Sequence, residues 1–165
     1  MSAPRHEHEG EIPVSTTDEG APSTFVPVAA LMSRFLLTVS PETPLWKARA
    51  EMSAHGVHHL LVSDRGRVVA VVSDRDIAHR LSTSAVRGLG SRHDDEAMRR
   101  AVVQVASFDL VTIPENARVE DAAALILERE ISALPVVDAS GEVVGIVTSR
   151  DLLRGLLACV LPSAA

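Results

Sequence analysis

The stretch Gly66-Arg67-Val68-Val69-Ala70-Val71-Val72-Ser73-Asp74-Arg75-Asp76-Ile77 returns about seventy-five residues later as Gly141-Glu142-Val143-Val144-Gly145-Ile146-Val147-Thr148-Ser149-Arg150-Asp151-Leu152. The match extends upstream in both copies. Val57-His58-His59-Leu60-Leu61-Val62-Ser63-Asp64 precedes the first, and Ile131-Ser132-Ala133-Leu134-Pro135-Val136-Val137-Asp138 precedes the second, which carries one extra residue in its next turn. Farther back, Thr38-Val39 answers Thr112-Ile113 and Ala48 answers Ala122. Self-similarity at a fixed spacing marks a duplicated structural unit.

Each copy reads as β-α-β-β-α. A short strand from Leu36 gives way to a helix that opens after Ser40-Pro41-Glu42-Thr43-Pro44 and runs to about Ala54, where His55-Gly56 stops it. Proline suits such a start because its missing N–H has no helical partner in the first turn. The apolar runs Leu60 to Val62 and Val68 to Val72, separated by Asp64-Arg65-Gly66, make a hairpin of two buried strands. A second helix opens at Ser73 and turns Ile77, Ala78 and Leu81 inward.

A half of roughly sixty residues buries too little surface to be comfortably stable alone, so the copies are expected to share one body. The organisation expected is a disordered tail over 1–24, a first unit over 25–82, a linker over 83–100, a second unit over 101–161 and a tail over 162–165. The N-terminal tail is rich in Glu, His, Pro, Ser and Thr, and its His6-Glu7-His8-Glu9 reads as solvated, because a stable metal site needs ligands on a folded frame. In the linker, Arg87-Gly88-Leu89-Gly90 lacks the preceding strand and the following Gly-Lys-Ser/Thr of a phosphate loop, and a short helix is expected from Asp94.

The chain has 165 residues, 46% of them hydrophobic, yet only three Phe, one Trp and no Tyr, so Val, Leu, Ile and Ala must build the core. That mix suits buried strands covered by helices. The net charge of -6 and the lack of a basic run leave no electrostatic footprint for nucleic acid. One cysteine, Cys159, no apolar run long enough for a bilayer and no signal-peptide pattern lead to the expectation of a soluble, cytoplasmic protein. Trp46 reads as a surface or packing residue. Leu153, Leu156, Leu157, Val160 and Leu161 recur at near-helical spacing along the last helix, more apolar than its own unit can cover, which points to a partner surface.

The chemical feature of each copy is its last strand-to-helix step, Ser73-Asp74-Arg75-Asp76 and Thr148-Ser149-Arg150-Asp151. Read structurally, this is a capping box, the hydroxyl accepting from a first-turn amide and the acid reaching back to the cap's own N–H. Read functionally, the same helix start offers N–H groups to a phosphate while the carboxylate accepts from a vicinal diol. Gly145, three residues before Thr148, would let a ligand approach the strand, whereas the first copy has Ala70 there. On this reading the second corner is the better site.

The two copies resemble a tandem pair of CBS domains, a Bateman module, over about residues 27 to 158. The marks are Val28-Ala29-Ala30-Leu31-Met32-Ser33, Thr38-Val39-Ser40-Pro41, the Ile131 to Asp138 segment and Gly145 to Leu152. The resemblance implies an α/β (α+β) fold, two β-α-β-β-α units about a pseudo-twofold axis, with small mixed sheets and helices on the outer faces. It also implies a stand-alone regulatory module without catalysis, binding AMP, ADP, ATP or S-adenosylmethionine, with or without magnesium, and signalling in trans to a client protein. Carried over by position, Asp151 would accept ribose hydroxyls, Thr148 would bond phosphate or ribose beside Arg150, and Thr112, Ser132 and Ala133 would frame the base. Asp76, Ser73, Arg75, Thr38, His58 and His59 hold the corresponding places in the first copy, with the two histidines as candidates for phosphate contact. Family modules usually pair into a flat disc, so a homodimer is expected; an empty-cleft interaction protein acting through the apolar last helix is the alternative.

Overall fold

Each copy folds into its own three-stranded sheet, with the same strand order and the same mix of parallel and antiparallel pairing. The computed structural model describes residues 25–81 and 92–160; His6-Glu7-His8-Glu9, Arg87-Gly88-Leu89-Gly90 and Leu161 lie outside the described residues. The first copy supplies β1 (Thr38–Val39), α1 (Leu45–His55), β2 (His59–Asp64), β3 (Arg67–Ser73) and α2 (Asp74–Ala78). Then come α3 (Arg92–Met98), β4 (Ile113–Pro114), α4 (Val119–Glu128), β5 (Ala133–Val137), β6 (Val143–Thr148) and α5 (Ser149–Val160). In each sheet the short first strand lies parallel to the middle one, which pairs antiparallel with the third.

Local chemistry explains most boundaries. Pro44 caps α1 in an extended conformation, and Gly56 ends it at φ 64°, its N–H reaching back to the C=O of Met52 and Ser53. Arg65 and Gly66 turn the first hairpin with positive φ. In the longer second turn Asp138 Oδ1 accepts from the Ser140 N–H (2.9 Å), the Ser140 hydroxyl (2.6 Å) and the Glu142 N–H (3.1 Å), which accommodates the extra residue. The region read as a linker contributes more than a connection. Helix α3 starts two residues before Asp94, which is buried, and Met98 packs on the first core.

The parallel ladders are offset by one residue, and a single side chain accounts for it. In the first copy Leu61 donates its N–H to Leu37 C=O at 3.0 Å, with Thr38 facing Leu61. Pro135 occupies the corresponding place in the second copy and has no N–H to give, so that ladder starts later, with Ile113 facing Val136.

A copy in sequence is not a unit of packing. Each copy is preceded by a short 3-10 turn, Val28–Ala30 and Val102–Gln104, and each turn is built into the other half. Val28 N–H donates to Ala117 C=O (2.9 Å), and Ser33 and Ile146 exchange two backbone bonds (2.9 and 3.0 Å). In mirror image, Val102 N–H donates to Thr43 C=O (2.8 Å), and Ser107 and Val71 exchange bonds of 2.9 and 3.1 Å. Val102 is fully buried in the core with Leu45, Leu60 and Val72, while Val28 is fully buried with Ile113, Leu134 and Val147. The pseudo-twofold axis of the fold is thus written into the hydrogen bonds.

This exchange corrects the reading of Gly145. A Cβ there would collide with Met32 Sδ and stand 3.2 Å from Ser33 O, so its missing side chain admits the neighbouring lead-in and not a ligand. In the first half the pair is reversed in size: Ala70 is fully buried, and Ala106, the counterpart of Met32, packs on that core. Gly145→Ala should therefore destabilise by roughly 1–2 kcal/mol. In a chemical-denaturation cycle with Met32→Ala, the two changes should be coupled by at least about 0.5 kcal/mol, the double variant being more stable than the sum of singles requires.

Candidate functional site

Two clefts open along the seam between the halves, and each is assembled from both copies. The larger, of ≈ 400 Å³, brings the Thr148 to Asp151 corner of the second copy against Phe35, Gly56, His58 and His59 of the first. The smaller, of ≈ 210 Å³, brings Ser73, Arg75 and Asp76 against Asp109, Glu130, Ser132 and Ala133. The grouping expected from sequence, each corner with the base-framing residues of its own copy, holds only in part: Ser132 stands with Asp151 and His59 with Asp76, but Ala133 lies with Asp76 and His58 with Asp151. Because the lead-in turns cross over, a corner meets the strand start of the opposite copy.

Both corners are closed as capping boxes. Asp76 N–H donates to Ser73 Oγ (3.2 Å), while Asp76 Oδ2 accepts from the Ser73 N–H (2.8 Å) and hydroxyl (2.6 Å). Thr148 and Asp151 repeat the pattern at 3.3, 3.0 and 2.6 Å. The structural and the ligand readings are compatible, because the cap uses only Oδ2 of each carboxylate. Asp151 Oδ1 has Arg154 Nη1 at 3.9 Å, with Asp151 three-quarters covered and the arginine exposed. A carboxylate pinned through one oxygen presents the other in a fixed direction, which is what recognition of paired hydroxyls needs.

His59 and Ser132 tie the clefts together. His59 Nε2 lies 2.8 Å from Ser132 Oγ, across the seam, and both residues line both clefts, as do Ser73 and Arg75. Burial holds the His59 imidazole below its ordinary value of 6.5, against the opposing pull of the Asp74 carboxylate. His58, more exposed, meets Asp74 Oδ2 through Nδ1 at 2.7 Å.

Of the residues singled out from sequence, Asp151, Thr148, Arg150, His58 and His59 come together in the larger cleft, and Asp76 and Ala133 stand in the smaller. Thr38, Thr112 and Gly145 line neither. The threonines lie at the parallel ladder; the lead-in residues before them, Phe35 to Leu37 and Asp109 to Val111, form the cleft walls instead. Arg154, one turn beyond Asp151 on α5, and Glu130 were also missed. The repeat itself held the signal, since Phe35 aligns with Asp109 and Gly56 with Glu130.

The CBS domain family matches residues 28–83 and 97–158, the two copies in turn. This chain belongs to that family. A CBS domain-containing protein of Dictyostelium discoideum is 33% identical over 82% of this chain and 94% of its own length. The inosine-5'-monophosphate dehydrogenase of Thermoplasma acidophilum is 29% identical over 74% of this chain, which spans only 22% of that enzyme. Among solved structures, CBSX2 in complex with AMP is similar at 28% identity, with a TM-score of 0.64 over 82% of this chain and 98% of that one.

The lowered pKa of His59 gives this CBS pair a testable pH dependence. Between the depressed folded value and 6.5 the unfolded chain binds the proton that the folded chain refuses, so stability rises with pH in that window. Denaturation midpoints should be undiminished by this group above pH 6.5 and decline as pH falls below it. His59→Asn, which keeps a partner for Ser132, should flatten that decline relative to the parent chain.

Proposed function

We propose that this CBS pair is a regulatory module that binds an adenosine phosphate in the larger cleft and relays its bound state to another protein. The observation that carries the reading is the convergence, around ≈ 400 Å³, of a capped corner whose carboxylate keeps one oxygen for a diol with three guanidinium groups, Arg75, Arg150 and Arg154, and two imidazoles. That volume falls in the range of small-molecule sites. Asp151 holds the ribose, Thr148 and the arginines face the phosphate, and Phe35 covers the base. The AMP complex of the similar CBSX2 supports an adenine nucleotide as the ligand class, and S-adenosylmethionine remains in the panel to be tried. Association of phosphate with the cleft favours protonation of His59, so affinity for AMP should be greater below pH 6.5, where the lowered imidazole takes up its proton, than above it.

A thermal-shift panel of AMP, ADP, ATP and S-adenosylmethionine, with and without magnesium, tests this directly. A ligand at about a hundred times its dissociation constant adds roughly 2.7 kcal/mol of stability. AMP or ADP should raise the melting temperature, and Asp151→Asn, which retains a capping oxygen, should cost about 1.5–3 kcal/mol of binding. Asp76→Asn should cost less. No shift with any of the four at millimolar concentration overturns the reading.

The module is further proposed to work as a homodimer in the cytoplasm. Leu153, Leu156 and Leu157 on α5 are each 56–60% exposed, and Leu127 on the adjoining α4 is 78% exposed. Exposed leucines on two adjoining helices favour burial against a second copy, closed by twofold symmetry. No helix among the described residues is long and apolar enough to cross a membrane. Light scattering should give twice the chain mass, and Leu156→Glu should shift it toward monomer; a monomer at tens of micromolar would leave these leucines for a different protein.

A further inference from the structure

The two clefts are related by the repeat, yet they carry opposite charge. Position by position, the larger cleft presents Phe35 and Gly56 where the smaller presents Asp109 and Glu130. With Asp76, three carboxylates line the smaller cleft against the Arg75 guanidinium and His59. The larger has three guanidiniums against Asp74 and Asp151.

Glu130 is held there against its own backbone preference. It ends α4 as Gly56 ends α1, through the same pair of backbone bonds: Glu130 N–H to Leu127 C=O (3.4 Å) and Ile131 N–H to Ile126 C=O (3.1 Å), beside Gly56 N–H to Ser53 C=O (3.4 Å) and Val57 N–H to Met52 C=O (3.0 Å). Its φ is 53° where that of Gly56 is 64°, a left-handed conformation that glycine adopts freely and an L side chain does not. A strained residue at a cleft mouth points to a task for its side chain.

We infer that Asp109 and Glu130 are specificity determinants that close the smaller cleft to phosphate-bearing ligands, so that each chain takes one adenosine phosphate, in the larger cleft. The inference rests on the nucleotide reading above. Two carboxylates at the mouth of a partly solvated cleft repel an approaching phosphate dianion at a range of several ångströms, while a ligand without charge feels no such field. The smaller cleft is left to uncharged or cationic ligands.

Calorimetric titration of the full chain with AMP, and separately with adenosine, tests this. The parent chain should bind one AMP, and Asp151→Asn should weaken that site. In the double variant Asp109→Asn/Glu130→Gly a second AMP site should appear, at least tenfold tighter than any residual binding at the smaller cleft of the parent, with adenosine affinity unchanged. Glu130→Gly removes the left-handed strain, so the variant should melt no lower than the parent, which a thermal scan verifies. Two AMP sites in the parent, or still one in the double variant, would overturn the inference while leaving the nucleotide reading intact. A single site sensitive to Asp76→Asn and not to Asp151→Asn would overturn the assignment of the clefts. No AMP binding by the parent would overturn the nucleotide reading and the inference with it.

Discussion

The reciprocal exchange of the two lead-in turns is the constraint on which the remaining structure depends. Neither half closes its core without a valine lent by the other, Val102 in one direction and Val28 in the other, both fully buried. Each is delivered by a backbone hydrogen bond to the loop before the partner's helix and by a pair of bonds to the partner's last strand. Buried backbone polar groups must be paired, so these bonds are costly to lose and fix the relative placement of the halves. The size reversal at Met32 and Gly145 against Ala106 and Ala70 shows the same crossing being accommodated independently on its two sides.

The clefts follow from that crossing. A corner that caps its own helix would face solvent if its copy stood alone; brought across the seam, it faces the strand start and lead-in of the opposite copy. Four residues, Ser73, Arg75, His59 and Ser132, serve as a wall common to both clefts, with His59 and Ser132 joined across the seam. Duplication supplied symmetry, and a few substitutions then removed it: Phe35 and Gly56 on one side, Asp109 and Glu130 on the other. The outcome is one roomy, cationic cleft and one small, acidic cleft in a single chain.

Much of this was legible in the sequence. The β-α-β-β-α order, the bounds of α1 and of the first hairpin and the capping chemistry of Ser73 and Thr148 all follow from turn residues, proline placement and period, which are local properties. What was not legible is the crossing. Sequence adjacency ties Val102 to the second copy, and only packing reveals that it belongs to the first core. That single long-range fact accounts for the reading of Gly145 as an opening for a ligand, and for the mixing of the two copies around each cleft. The offset of β4 relative to β1 had a visible cause in Pro135, because a residue without an N–H cannot begin that ladder.

Native-state hydrogen exchange of the full chain, read amide by amide, tests the crossing most directly. Amides at the exchanged positions, Val28, Ser33, Val102 and Ser107, should open with the same free energy as the central strand amides of Leu60 and Leu134, because the halves close one another and lose protection together. If the lead-in amides exchange many-fold faster than the strands, or if one half keeps its protection while the other has lost it, the two copies are independent units and the account is contradicted.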